Sequence, residues 1–307
     1  MSYPESVDIC EVGPRDGFQF EEKLIPTELK VEIIRELARA GVKRIQATSF
    51  VHPKWVPQMA DAEDVISALA DVEGTTLSAL VLNLRGLDRA RASGIRHVDV
   101  SIATNDRHSL DNTNMSAADA LAQGEAMVEE AVAHGMLPQI GFQTVFGYET
   151  PGDTPVETVV EMASRFAAAG VESISLADST GMANPTSIRT TVEAVKGVSG
   201  RVPIVLHLHD TRGLGMANIV AALECGVNRF DAALGGMGGC PFIPGATGNV
   251  ATEDTVYLLD SLGVRSGIDM SAVAACSARL SAFLGKSFPG KLYSLQGKHT
   301  RRVQADA

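Results

Sequence analysis

The sequence predicts a (β/α)8 barrel of the TIM type. Three observations predict it. Eight short β-branched runs alternate with longer Ala/Leu/Glu-rich segments. Five of those segments stop at a glycine just before the next run, at Gly41, Gly94, Gly135, Gly170 and Gly226, which is helix C-cap chemistry. The length, 307 residues, suits one such barrel.

The elements follow in order. Strand one is placed at Val7 to Val12. A helix from Thr27 to Ala40, with Thr27 as N-cap, ends at Gly41. Strands two, three and four are placed at Val42 to Thr48, Thr76 to Leu82 and His97 to Ile102, with Gly94 closing the helix before the fourth. Strand five, after Gly135, covers Pro138 to Val145, and strand six, after Gly170, covers Ser173 to Ala177. Strand seven is Ile204 to His209, and strand eight, after Gly226, is Arg229 to Leu234. From about Asp269 the chain reads as one more helix and a polar tail. No low-complexity linker divides it, so residues 1–307 are expected to form a single domain. Its barrel would span about 5–265 and its C-terminal extension about 269–307. A doubly wound sheet is the competing arrangement, because strand order is not written in the sequence.

Composition excludes several classes. A formal net charge of −11 disfavours nucleic acid and anionic membrane as partners. Four scattered cysteines, Cys10, Cys225, Cys240 and Cys276, without C-x-x-C spacing, argue against a disulfide framework or a thiolate zinc site. Reduced thiols, and a start without a basic region or apolar run, predict a cytoplasmic protein.

The chemistry-bearing residues gather at strand ends. Alternation puts Val205, His207 and His209 on one face of strand seven and Ile204, Leu206 and Leu208 on the other, apolar face. Two imidazoles at the C-terminal end of a barrel strand stand where barrel enzymes work; two satisfied histidines in a polar barrel mouth is the bland reading. Barrel closure makes strand eight the neighbour of strands one and seven. Asp16, after strand one, and Asn249, after strand eight, are thereby able to converge on His207 and His209. One carboxylate, two imidazoles and an amide oxygen suit Mg²⁺ or Mn²⁺ more than Zn²⁺. Asp16 as a cap and Asn249 in an Asx turn are the structural alternatives. Arg15, always cationic, is placed to hold an oxyanion or to pair with Glu11, and Glu11 pairing with it would position it. Cys240 follows Gly235-Gly236-Met237-Gly238-Gly239, a loop free to carry a thiol on and off a site.

Several segments resemble the 3-hydroxy-3-methylglutaryl-CoA lyase family of metal-dependent barrels. They are Glu11-Val12-Gly13-Pro14-Arg15-Asp16-Gly17, Ala47-Thr48-Ser49-Phe50-Val51, Pro53-Lys54-Trp55-Val56-Pro57-Gln58, Gly238-Gly239-Cys240-Pro241-Phe242 and Gly245-Ala246-Thr247-Gly248-Asn249. The resemblance implies a divalent metal held by Asp16, His207, His209 and Asn249, and an acyl-CoA substrate. It implies enolate stabilisation by Arg15, a catalytic loop cysteine at Cys240, and a catalytic part for Asp178, for which an Asx-type loop cap is the alternative. The implied reaction is retro-Claisen cleavage, with His207 or Asp16 accepting the hydroxyl proton and Cys240 returning a proton to the enolate carbon. A homodimer is expected.

The match fails at the substrate walls. Members of the family usually carry Glu where this chain has Gln46. A Ser-Glu pair after strand four gives way to Thr104-Asn105-Asp106, and a Ser-Cys pattern after strand five gives way to Gln143-Thr144-Val145. Gln46, which shares strand parity with Arg44 and Thr48, Thr104 and Gln143 are therefore the candidate substrate-pocket residues. The cleaved thioester is expected to be 3-hydroxy-3-methylglutaryl-CoA or a relative such as citramalyl-CoA or a longer 3-substituted glutaryl-CoA. A Claisen-type synthase and a non-catalytic metal-binding barrel are the competing classes.

Overall fold

The computed structural model describes residues 3–239 and 247–295. Its eight parallel strands close in sequence order: β1 Asp8–Glu11, β2 Arg44–Ser49, β3 Thr76–Val81, β4 His97–Ala103, β5 Leu137–Gln143, β6 Ser173–Asp178, β7 Ile204–Leu208 and β8 Arg229–Ala232. The barrel expectation holds, and β1 pairs with β8. Around it, among the described residues, run α1 Thr27–Arg39, α2 Ala62–Ala68, α3 Leu84–Ala92, α4 Asp106–Thr113, α5 Ala117–Ala133, α6 Val156–Ala169, α7 Pro185–Ser199, α8 Gly215–Glu224, α9 Thr252–Ser261 and α10 Met270–Leu284. No described helix is long and apolar enough to cross a membrane.

Alternation decides which side chains leave the barrel. Ile9, Ile45, Ala79, Val98, Ile140, Ile174, Leu206 and Phe230 are buried in the apolar layer between strands and helices. The residues of opposite parity point inward, and they are unusually polar. At one level these are Gln46, Ser78, Asp99, Gln139 and Ser173, where branched aliphatic residues are the common filling. At the N-terminal end Arg44 reaches Glu172 (3.1 Å), which also meets His97 (2.9 Å).

The five predicted C-cap glycines all take positive φ, from 69° to 90°. The predicted cap of α1 is corrected. Pro26 precedes the helix, Thr27 is its first residue, and the Thr27 hydroxyl donates to Asp61 (2.7 Å) instead of to the backbone. Strand five ends two residues early because Thr144 turns to a φ of 56°, with its N–H directed to the Ser179 hydroxyl (3.3 Å). Strand eight stops at Ala232, and Leu234–Gly236 forms a tight turn.

The extension beyond β8 is helix α10, capped by Asp269 through the N–H groups of Ser271 and Ala272 (2.9 and 3.1 Å). Of the polar tail expected after it, residues 296–307 lie outside the described residues, and part of 286–295 packs inward. Phe288 and Tyr293 are buried, and the Phe288 ring lies where a Cβ on Gly235 would come within 2.6 Å. The tail thus braces the turn that leads into the glycine loop.

Candidate active site

Arg15 and Asp16 sit on a single π-helical turn, Gly13–Gly17, at the mouth of the barrel. Such wide turns are frequent at functional sites. Glu11 lies beneath it. Its Oε1 accepts the N–H groups of Gly13 (2.8 Å) and Leu234 (2.9 Å), and its Oε2 accepts the Thr252 hydroxyl (2.6 Å). The expected pairing of Glu11 with Arg15 is therefore corrected: Glu11 ties the turn after β1 to the turn after β8. Complete burial pushes the Glu11 carboxyl up to about 8, against the pull of the Thr252, Leu234 and Gly13 bonds.

Arg15 is held from two sides. Its Nε donates to Gln46 Oε1 and its Nη1 to Asp16 Oδ1, the latter at 2.6 Å. No described residue takes a hydrogen bond from Nη2, and Arg15 lines the central cavity.

Asp16, His207 and His209 bring their donor atoms within 4.8 Å of one another. His207 and His209 face each other through Nε2 atoms 3.2 Å apart. The strand register sets His207 beside Asp231, and His207 Nδ1 lies 3.1 Å from Asp231 Oδ2. A carboxylate on one ring nitrogen fixes the tautomer and leaves the other nitrogen for a cation. Burial lowers His207, but Asp231 and then Asp16 outweigh it and leave it raised. Burial, with His207 beside it, drops His209 to about 3. For Asp16 burial works upward, and Arg15, His207 and His209 together hold the carboxyl below its usual value.

Asn249 reaches the site because residues 248–250 fold back onto the end of β7. Asp210 donates its N–H to Gly248 (2.9 Å), and Val250 donates to Leu208 (3.0 Å). The close crossing of two backbones demands glycine at Gly238 and Gly248. A Cβ on Gly248 would stand 2.7 Å from the Gly238 carbonyl carbon, and one on Gly238 would stand 2.5 Å from Asn249 Nδ2. The Asn249 amide directs Nδ2 at Asp16 Oδ2 (2.6 Å) and the Met237 carbonyl (3.0 Å), while Oδ1 is buried without a partner. An oxygen ligand needs the reverse orientation. His209 Nδ1 is likewise buried and unpartnered. A carboxylate, two facing imidazoles and these uncommitted buried atoms fit a divalent cation, so Asp16, His207 and His209 form a candidate metal site.

The site opens on a cavity of about 560 Å³, within the range of small-molecule pockets. Gln46 and Gln143 are on its wall. Gln143 donates to the Ser101 hydroxyl (2.8 Å). Thr104 is not on the wall, because its hydroxyl is committed to the Gln143 carbonyl (2.6 Å). The expectation that Thr48 shares the face of Gln46 is corrected by a register shift between them. Thr48 meets the Met59 sulfur (3.6 Å) and is not on the cavity wall. Asp178 is off the wall too. Its Oδ1 accepts the N–H groups of Met182 (2.8 Å) and Ala183 (3.1 Å), as an Asx-type cap does, and burial raises it to about 6. Cys240 lies outside the described residues, as do Pro241 to Ala246; Gly239, just before it, is on the cavity wall. The other thiols are not activated: burial raises Cys10 and Cys225, and Cys276, beside Glu36, is pushed up to about 12.

Sequence reasoning passed over Asp231 and Asp99. Both occupy inward positions on buried strands, and a carboxylate at such a position was the available signal. Asp99 lines the cavity and is raised by burial, with Gln46 and Ser78 pulling it back.

The model of the family described as HMGL-like matches residues 6–279. The chain belongs to that family. It is an enzyme of the hydroxymethylglutaryl-CoA lyase family, an oxo-acid lyase acting on acyl-CoA. It is 38% identical over 291 residues to a Bacillus subtilis hydroxymethylglutaryl-CoA lyase, covering 95% of this chain and 97% of that protein. It is 39% identical to the (R)-citramalyl-CoA lyase of Chloroflexus aurantiacus, covering 93% of each. The solved structure of an HMG-CoA lyase from Acinetobacter baumannii, in complex with coenzyme A and 3-methylmalate, superposes with a TM-score of 0.89 at 35% identity over 96% of both chains.

Proposed function

We propose that this family member cleaves a 3-hydroxyacyl-CoA thioester, 3-hydroxy-3-methylglutaryl-CoA or a close analogue such as citramalyl-CoA, by retro-Claisen cleavage. The observation that carries this is the convergence of Asp16, His207 and His209 beside Arg15, whose Nη2 has no partner among the described residues, on the wall of the cavity. Asp16, His207 and His209 would hold a divalent cation, Mg²⁺ or Mn²⁺ by the mixed N/O donor set, with Asn249 joining through Oδ1 once its amide turns. Bound there, the cation supplies Lewis acidity toward the substrate's hydroxyl and neighbouring carbonyl oxygen.

The chain's own residues do the rest. Of the two candidate bases, His207 has Nδ1 on Asp231 and keeps Nε2 for the cation, so Asp16, on the cavity wall, accepts the hydroxyl proton. The C2–C3 bond breaks, leaving a keto product and an acyl-CoA enolate. Arg15 presents Nη2 to the enolate oxygen. Cys240 delivers a proton to the enolate carbon. Asp178 supports the wall after β6 through its loop.

The test is a panel of 3-hydroxyacyl-CoA thioesters incubated with Mg²⁺ or Mn²⁺, with the acyl-CoA product followed by mass. Cleavage of 3-hydroxy-3-methylglutaryl-CoA or citramalyl-CoA is the expected result. Absence of a shortened acyl-CoA from every member, in protein that binds Mn²⁺, overturns the reading.

A further inference from the structure

A chain of hydrogen bonds crosses the interior of the barrel from Arg15 to Ser173 on the far side. Arg15 Nε donates to Gln46 Oε1, and Gln46 Nε2 donates to Asp99 Oδ2 (2.5 Å). Ser78 donates its hydroxyl to the same oxygen (2.7 Å), and Gln139 Nε2 donates to Asp99 Oδ1 (3.2 Å). Gln139 in turn accepts from Ser173 (2.8 Å). Strand register builds this level: Gln46 is beside Ser78, and Asp99 lies between Leu80 and Gln139, which adjoins Ser173.

An amide has a donor end and an acceptor end, and nothing in its shape says which way it should face. An ionised carboxylate accepts only. Asp99 therefore compels Gln46 to turn its NH₂ inward and its oxygen outward, which is the orientation Arg15 Nε needs. If the amide turned over, two donors would meet at Arg15 and two acceptors at Asp99. With Nε held by Gln46 and Nη1 by Asp16, Nη2 is the guanidinium nitrogen without a partner among the described residues, and Arg15 lines the cavity.

We propose that Asp99 is a positioning residue of this enzyme: acting through Gln46, it fixes the guanidinium of Arg15 in its working orientation. This rests on the lyase reading for Arg15's function, but the positioning itself is a property of the folded chain.

Charge transfer between the two positions provides the test. In Asp99→Asn the outward orientation of Gln46 loses its cause, and kcat on the best thioester of the panel falls ~10–100-fold, with KM changing much less. Gln46→Glu alone sets two carboxylates in contact, so a proton is retained between them and the pH profile of kcat gains an ionisation that the wild type lacks. The double variant Gln46→Glu/Asp99→Asn returns one carboxylate to the pair, now next to Arg15, with the new amide at position 99 free to donate to it. It should recover to within about tenfold of wild type. A residue that merely fills space gives no such recovery. Wild-type kcat in Asp99→Asn, or two folded single variants whose defects persist in the double, overturns the proposal.

If wild type cleaves no thioester, the lyase reading fails, and the positioning is still measured. The ¹⁵Nε–H resonance of Arg15, assigned by loss in Arg15→Lys, should exchange faster with solvent in Asp99→Asn and slow again in the double variant. Unchanged exchange in Asp99→Asn overturns the positioning even then.

Discussion

The two walls of the cavity are built on opposite plans. The wall from β7, β8 and the turn after β1 carries ionisable groups: His207, His209, Asp231, Asp16 and Arg15, each tied to at least one of the others. The wall from β4, β5 and β6 is mostly neutral and small or amide-bearing: Ser101, Gly141, Gln143, Ser175 and Ala177. Asp99 is its one carboxylate, and that group is engaged in holding amides. Under the proposed function this is a division of labour. The charged wall, cross-linked so that its atoms keep one geometry, would serve the reaction. The neutral wall, with its small side chains and few adaptable donors, would serve the choice of acyl group.

Asp16 carries the largest expected effect. Asp16→Asn should abolish tight Mn²⁺ binding, followed by electron paramagnetic resonance, and reduce kcat by ~10³–10⁴-fold. Wild-type turnover in that variant would move the chemistry off the charged wall. Cys240→Ala comes next: ~10²–10⁴-fold slower turnover with Mn²⁺ affinity preserved. A smaller loss would remove the thiol from the proton path. Asp231→Asn leaves the ligands in place but loosens the His207 tautomer, and should weaken Mn²⁺ binding ~10–100-fold by titration.

The neutral wall is sharpened by Gly141→Ala. A Cβ there meets its nearest neighbours at 3.7–4.0 Å, an ordinary contact, so the fold is kept while the cavity narrows. The ratio of kcat/KM for a bulkier over a slimmer acyl group should fall roughly tenfold, with Mn²⁺ affinity unchanged. An unchanged ratio would show that substrate choice lies elsewhere.

The last expected effect is on stability and not on turnover. Glu11 has an ordinary value of 4.5 and stands at about 8 in the folded chain. Between those values the folded protein keeps a proton that the unfolded chain has released. Stability conferred at low pH is therefore lost as pH rises through this window, by up to about 1.4 kcal/mol per pH unit. Glu11→Gln, followed by denaturant unfolding from pH 5 to pH 8, should flatten that slope. An unchanged slope would place the titration on another group, such as Glu253, which burial also raises.

Much of this molecule was legible in its sequence. Strand alternation placed His207 and His209 on one face, because the strand period is a property of the chain itself, and the barrel reading brought Asp16 and Asn249 to them, a strand order that the closed sheet bears out. The glycine stops marked helix ends for the same local reason. Where side chains turn once they arrive was not legible. Glu11 bridges two turns from positions 223 residues apart, and its preference for backbone N–H groups over Arg15 depends on a separation no local pattern encodes. The polar level through Gln46, Asp99 and Gln139 is likewise invisible until the register of four strands is fixed.

Residue type, spacing and motif pointed to the barrel, to the family and, on the charged wall, to Arg15, Asp16, His207 and His209, while Asp231 beside them emerged from the strand register. Closure of the chain made Asp178 a loop cap, took Thr104 off the cavity wall and turned the Gln46 oxygen to Arg15. Hydrogen-bond partners are chosen by distance and by which donors and acceptors remain unsatisfied in a dry interior, and that choice exists only after the chain has closed on itself.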